Sequence, residues 1–390
     1  MKATHWKKLG ILLGVLTLLV IAGIIFAPKL IDLNNYRSLI AGEITKAVGG
    51  EVKIGDIHWG LQKGIWVAVD GFSISGLSRL PGDLSISRIY GEVAIIPLVS
   101  KKIVIKNLRL EAPDATILIA PSAEKTASAK ETLPVYEPGG VKAPRPLPVG
   151  IMIETASIAG GKITVEDTRT HPGQKTVRTF TDVNVVVTDL IPGRKIPFHV
   201  DLRDAAETGL GKLVAQGTFS GLTEALTVAT PTLNVKATLS SLSTEAVKPY
   251  LKDNPWIQAL HGSIAIDIYL ESNFGGDFQS QGFIDLSKTV YEDPVSGEKI
   301  QPKAGTKIAY KMALSGNRLN VEDFDLMWAN LSLKTAAVIE NMEKDPTIRN
   351  FRLAANLPLK ELAQIIPWKK LGSHSDQIRE VLSGGGNLTI

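Results

Sequence analysis

An uninterrupted apolar stretch runs from Gly10 to Ala27, with Thr17 as its one polar side chain. As a helix this stretch would be about 27 Å long, close to the roughly 30 Å hydrocarbon core of a bilayer. A secretory signal peptide is the alternative, but its apolar part is typically only about 7–15 residues long and ends at a small-residue cleavage site. Here Pro28 follows Ala27 directly and opposes cleavage. The pattern therefore predicts a retained transmembrane anchor at residues 10–27.

The flanking charges predict the orientation of this anchor. Lys2, Lys7 and Lys8 crowd the short segment before it, whereas Lys29 and Arg37 follow at wider spacing. Because cytoplasmic flanks are enriched in Lys and Arg, residues 1–9 are predicted to form a cytoplasmic tail, with the rest of the chain on the other side of the membrane.

The segment 28–120 is predicted to contain one helix and then a β-meander. Asn34 or Asn35 can cap the helix, which Gly49 and Gly50 end. From Glu51 onwards, short stretches rich in Ile and Val alternate with polar residues and are bounded by Gly, Pro or Asp, as in antiparallel strands. The apolar stripe of the helix, which faces either the membrane surface or the first strands, comprises Tyr36, Leu39, Ile40, Ile44 and Val48.

A proline-rich segment at residues 121–150 interrupts the strand pattern and is predicted to be a linker or long loop with extended character. Strands resume after Ile151 and continue to the end of the sequence. Two helical insertions interrupt them, at roughly Ser243 to Leu251 and Leu359 to Ile366.

These two insertions indicate an internal repeat within residues 151–390. The strand positions Leu239 and Leu357 that precede them are 118 residues apart, and Leu260 and Leu382, which open the next strands, are 122 apart. The alignment places Leu388 opposite Ile266 of the first copy. Such repeats are typical of stacked architectures, although two copies of a loose pattern also arise by chance in β-rich chains. Since the sequence stops inside a predicted strand, we expect residues 151–390 to be the front part of a longer architecture.

Composition excludes several classes of function. The 43 Lys and Arg against 39 Asp and Glu give a net charge of +4, without the clustered excess of cations that nucleic-acid binding requires. The absence of cysteine excludes disulfides, thiol nucleophiles and cysteine zinc sites. The six histidines are scattered, and no phosphate loop, nucleophile elbow or zinc helix is found. We therefore predict no enzyme activity, no catalytic residue, no metal and no cofactor.

The apolar residues carry most of the information about function. Strand alternation places Ile264, Ile266, Ile268 and Leu270 on one face, and Val183, Val185 and Val187 likewise share a face. An ordinary β-sandwich would show the same pattern on its two inner faces. A long sheet curled so that its apolar face lines a groove fits better with the anchor, the repeat, the few helices and the 6% aromatic residues. The remaining candidate groove residues are Leu233, Val235, Leu239, Leu331 and Leu333.

The N-terminal part resembles the AsmA family of membrane-anchored periplasmic proteins, which are related to the bridge-like lipid transfer proteins. The resemblance covers roughly residues 9–76: the anchor, the helix with Asp32 and Tyr36, the Gly49-Gly50 pair and the Val-x-Ile-Gly-x-Ile strand at 52–57. Residues 102–119 look like the following strand pair of that family.

The resemblance implies a mainly β fold: an elongated, twisted antiparallel sheet curled into a hydrophobic groove, with a few short helices. It also implies a single-pass protein of the bacterial inner membrane, with its bulk in the periplasm. Phospholipid acyl chains would be its partners, and it would shelter or conduct them towards the outer membrane. A scaffold for outer-membrane proteins that uses exposed sheet edges is the alternative. This chain is shorter than the larger members of the family, so bridging by this polypeptide alone is not implied.

Overall fold

The computed structural model describes part of the chain, and all structural statements below refer to that part. The described residues are 32–48, 50–61, 64–76, 82–95, 97, 102–119, 150–171, 174–206, 209, 211–223, 228–251, 254–292, 297, 299–302, 305–328, 330–342, 345–359, 380 and 386–389. The predicted cytoplasmic tail and anchor lie outside them, as do nearly all of the proline-rich segment and most of the second helical insertion.

Strands dominate the described structure, and helices are few and short. The helices are α1 (Arg37–Val48), α2 (Thr244–Val247) and α3 (Pro255–Gln258), with 3-10 turns at Leu33–Tyr36 and Lys248–Tyr250. The strands are β1 (Glu51–Leu61), β2 (Ile65–Ser75), β3 (Gly82–Val93), β4 (Lys102–Ile119), β5 (Gly150–His171), β6 (Gln174–Leu190), β7 (Ile196–Asp204), β8 (Lys212–Leu222), β9 (Val228–Ser243), β10 (Leu260–Ser272), β11 (Phe278–Glu292), β12 (Lys299–Ile300), β13 (Lys307–Ser315), β14 (Arg318–Trp328), β15 (Leu331–Glu340), β16 (Thr347–Pro358) and β17 (Asn387–Thr389).

All 17 of these strands belong to one sheet, and not to the two sheets of a sandwich. Each strand pairs with its neighbour in the sequence, except that β11 pairs with both the short β12 and β13. Among the described residues, no pairing joins β1 to β16 or β17, so the sheet is open. The prediction of a mainly β protein is confirmed.

The prediction of an antiparallel sheet is wrong for one pair of strands. β4 and β5 run parallel, from the Lys102–Gly150 pair to the Ile119–Asp167 pair, which makes the sheet mixed. A parallel pair needs a crossover connection of a dozen residues or more. The residues between Ile119 and Gly150 are numerous enough for this connection, and the two segments that they join share one sheet.

In strands β1 to β4 the alternation of apolar and polar residues shifts by one position, and the four shifts lie on one line across the strands. Gly55, Gly71, Ser87 and Ala112 fall opposite one another on this line, and Gly71 and Ala112 have φ angles of 80° and 44°. The predicted strand pair at 102–119 is therefore wrong: these residues form the single strand β4, and Ala112 marks a bend instead of a turn.

One pair of residues in each copy of the predicted repeat can be compared in the pairing register. Ile266 of β10 pairs with Leu239 of β9, and Leu388 of β17 pairs with Leu357 of β16. The sequence alignment made Leu388 equivalent to Ile266 and Leu357 equivalent to Leu239, so both copies form the same contact between strands. The first helical insertion is confirmed as α2 and the following 3-10 turn, and the structure adds α3 beyond the predicted end at Leu251.

The N-terminal helix begins differently from the prediction. Asp32 is the cap, because its carboxylate accepts a hydrogen bond of 2.9 Å from the backbone N–H of Asn34. Asn34 instead bonds to Ile57 of β1, where its side chain accepts from the backbone N–H at 2.8 Å and donates to the carbonyl at 3.2 Å. The described helices are all too short or too polar to span a bilayer.

Candidate functional site

A continuous row of paired residues crosses fifteen strands of the sheet and is almost entirely apolar. Each member is the direct register partner of the next, and directly paired residues point to the same face of a sheet. Only Tyr310 and Thr335 carry a polar group. The row consists of Ile57, Val69, Ile89, Leu110, Ile158, Val185, Val200, Ala215, Ala237, Ile268, Gly282, Tyr310, Phe324, Thr335 and Leu353.

A second apolar row lies on the same face, closer to one end of the strands. It crosses nine strands from β7 to β16, again through direct pairs. Together the two rows make a surface that we call the apolar face. The second row consists of Leu202, Leu213, Leu239, Ile266, Ile284, Ile308, Leu326, Leu333 and Ala355.

The opposite face is mainly polar. The row that alternates with the first one contains charged, amide, hydroxyl and imidazole groups at eleven of its thirteen positions, and Ala68 and Val186 complete it. Many of the charged groups on this side are paired, for example Arg88 with Asp70 at 2.6 Å. The row consists of His58, Ala68, Tyr90, Arg109, Ser157, Val186, His199, Gln216, Lys236, Tyr269, Gln281, Lys311 and Asp323.

Exposure distinguishes the apolar face from a closed core. Along β9 and β10, Val235, Leu239, Ile266, Ile268 and Leu270 are all half-buried. A residue in a closed core would be almost completely covered. These side chains therefore pack against their neighbours in the sheet and keep part of their surface accessible.

All twelve predicted groove residues lie on the apolar face. Nine have their place in its paired rows or directly beside them. Val183 and Ile264 lie next to bulges, at the Gly161 and Leu242 pairs, and Leu331 pairs with Trp328. Val183 and Leu331 are buried, with 4% and 5% of their surface exposed.

The charged residues of this face were not predicted, and Arg178 and Asp204 are two of them. Arg178 and Asp204 follow the apolar alternation of β6 and β7 and so point to the same side as Phe180 and Leu202. The guanidinium of Arg178 lies 3.5 Å from the carboxylate of Asp204, whose side chain has 0% exposure. The signal that could have revealed them is a charge at a position where strand alternation demands an apolar residue.

Arg178 connects the apolar face to the helical insertion. Its Nη2 donates a hydrogen bond of 2.7 Å to the backbone carbonyl of Ala246 in α2. Thr244 and Ala246 are buried there, each with 3% exposure. The insertion is attached to β10 as well, because Glu245 contacts Lys248 and the imidazole of His261. The hydrogen bond from Lys248, reinforced by its charge and by His261, holds the pKa of Glu245 below its usual range. The insertion thus covers one end of the apolar face.

No protein-family model and no curated protein matches this chain. The resemblance of residues 9–76 to the AsmA family accordingly stays a prediction from the sequence.

The chemistry of the apolar face is that of non-covalent binding. Methyl and methylene groups along two rows can contact an extended apolar ligand, and each methylene removed from water contributes about 0.8 kcal/mol. Fourteen inter-strand spacings of about 4.8 Å give the first row a path of roughly 67 Å along the face. Within the described residues, no group of three or more His, Asp or Glu side chains could hold a metal ion.

Proposed function

We propose that this protein is anchored in a membrane through residues 10–27 and shelters or conducts phospholipid along the apolar face of its sheet. The observation that carries this proposal is the apolar row from Ile57 to Leu353, which is unbroken across fifteen strands. In this proposal the sheet curls into an open groove. Acyl chains lie on the apolar face and the head groups stay in water.

The energetics support a groove with a long path. An acyl chain that crosses water exposes every methylene, at about 0.8 kcal/mol for each one. A surface with many equivalent apolar positions replaces the contact of the methylenes with water at each step. No single position then has to bind the chain strongly. The half-buried state of Ile266, Ile268 and Leu270 suits such a surface, since these side chains can contact a ligand without any rearrangement of the sheet.

The sequence resemblance supports a location and a family for this activity. We propose that the chain is a member of the AsmA family with its bulk in the periplasm, where it contributes to lipid supply of the outer membrane. The proposed activity is non-enzymatic, because shelter of acyl chains requires no bond to form or break.

A second candidate function is a scaffold that binds strands of a client protein. One edge supports it: β17 pairs only with Asn356, Leu357 and Pro358 of β16, and the preceding part of β16 has no further strand beside it among the described residues. This part exposes Ile348 and Phe351 by 62% and 59%. An open edge with apolar side chains can accept an added strand.

Photo-crosslinking from adjacent positions on opposite faces tests the leading proposal. Val200 lies in the apolar row and His199 in the polar row of the same strand. With a photoreactive amino acid at either position in the full chain in cells, we expect phospholipid adducts at Val200 and at most one-tenth as many at His199. Equal adducts at both positions would contradict the proposal. Protein adducts from Arg349 in β16, with no lipid adduct at Val200, would favour the scaffold.

A further inference from the structure

The 3-10 turn Leu33–Tyr36 and helix α1, which follow one another directly, lie along the outer edge of the first strand. The side chain of Asn34 occupies both backbone hydrogen-bonding groups of Ile57 that point away from β2. Arg37 adds an ion pair of 2.8 Å with Asp56. These contacts fix one side of the helix to β1, so the opposite side points away from the sheet, beyond its N-terminal edge.

The N-terminal half of that outward side is apolar and exposed. Tyr36, Leu39 and Ile40 have 53%, 65% and 38% of their surface exposed. Their spacing of three and four residues puts them on one side of the helix. Glu43 and Lys46 continue this side and form an ion pair with each other at 2.6 Å. In water, three large apolar side chains at this level of exposure have no partner among the described residues.

The patch lies close in the chain to the apolar stretch at residues 10–27. The apolar stretch ends at Ala27, and only residues 28–31 separate it from Asp32, the cap of the helical segment. A chain extends by at most about 3.6 Å per residue, so Asp32 lies within roughly 18 Å of the end of that stretch. An exposed apolar helix face this close to a membrane span is within reach of the head-group region.

We propose that the 3-10 turn Leu33–Tyr36 and α1 lie in the membrane interface, with Tyr36, Leu39 and Ile40 directed into the boundary between head groups and acyl chains. This inference rests on the proposed function, because it requires residues 10–27 to be in the bilayer. Apolar side chains exposed on a helix can bind in this plane, and tyrosine is enriched there. Since this segment is attached to β1, it holds the first strands of the apolar face against the bilayer, where lipid can move onto the half-buried side chains of Val69 and Ile89.

The lack of cysteine allows a direct test with the full chain. Single-cysteine variants Leu39→Cys, Phe283→Cys and Leu19→Cys carry a bimane label in vesicles of phosphatidylethanolamine and phosphatidylglycerol. Phe283 is the matched control, because it is an apolar side chain with 43% exposure on the polar face of β11. Leu19 reports on the anchor. The readouts are quenching by a doxyl group on the lipid and quenching by iodide in water.

We expect lipid quenching at Leu39→Cys to be at least twofold stronger than at Phe283→Cys, and iodide quenching to be correspondingly weaker. If Leu19→Cys is quenched by lipid but Leu39→Cys behaves like Phe283→Cys, the interfacial helix is wrong and the anchor stands. If Leu19→Cys also escapes lipid quenching, the anchoring in the proposed function fails, and the interfacial helix fails with it.

Discussion

Ile268→Asp is expected to reduce the phospholipid that co-purifies with the protein about tenfold while the sheet stays folded. Ile268 lies in the middle of the apolar row between Ala237 and Gly282, two small neighbours that leave room for a carboxylate. A charge against acyl chains lacks a polar partner, and a penalty of only about 1.4 kcal/mol already weakens binding tenfold. The measurement is lipid extraction and mass spectrometry of the purified protein, with circular dichroism as the check on folding.

Phe283→Asp is the matched control for this variant. Phe283 lies on the polar face, opposite to the apolar rows, because it pairs with Asp267 and Ala309 of that face. The same change in chemistry there should leave the lipid content within twofold of that of the original protein. Loss of lipid in both variants, or in neither, would contradict a binding surface on the apolar face. If Ile268→Asp unfolds the sheet, the face is a closed core and the proposal is wrong.

Arg178→Met should lower the free energy of unfolding by about 3 kcal/mol, the usual cost of removing one partner from a buried ion pair. The substitution removes the guanidinium that faces the Asp204 carboxylate and also the hydrogen bond to Ala246. Methionine keeps the apolar part of the side chain, so the change is mainly electrostatic. Chemical unfolding gives the total effect. Amide exchange in α2 should increase more than in β13, which has no contact with this cluster.

Lys175→Met provides the comparison on the same strand. Lys175 forms an ion pair of 2.7 Å with Glu166, but its own side chain is 49% exposed. Exposed pairs contribute about 0–1 kcal/mol, so the free energy of unfolding of this variant should be close to that of the original protein. Equal losses for the two variants would show that Arg178 does not join the helical insertion to the sheet.

The sequence predicted the apolar face well where strands keep a strict alternation. Ile264, Ile266, Ile268 and Leu270 show this, because a period of two in a regular strand determines the face without any knowledge of the neighbours. The repeat alignment matched Leu388 with Ile266 and Leu357 with Leu239, and Leu388 pairs with Leu357 as Ile266 pairs with Leu239. The face of a residue in a regular strand depends on local sequence alone.

The rest depends on contacts between distant residues. The alternation shifts at Gly55 and Ala112 because strands β1 to β4 bend together, and no single strand reveals that shared line. The parallel pairing of β4 with β5 depends on where the connection at 120–149 returns to the sheet. Likewise Asn34 was expected to cap the helix, but it bonds to Ile57, 23 residues away. The sequence shows that Asn34 can accept and donate hydrogen bonds, and the fold determines its partner.

Native mass spectrometry of the full chain, extracted from membranes in a mild detergent, tests the central claim most directly. The apolar row offers many similar positions along a path of roughly 67 Å. We therefore expect a series of masses with several phospholipids bound to one chain, and a loss of most of them in Ile268→Asp. The bare mass of the chain alone, under conditions in which a known lipid carrier keeps its lipid, would contradict the account.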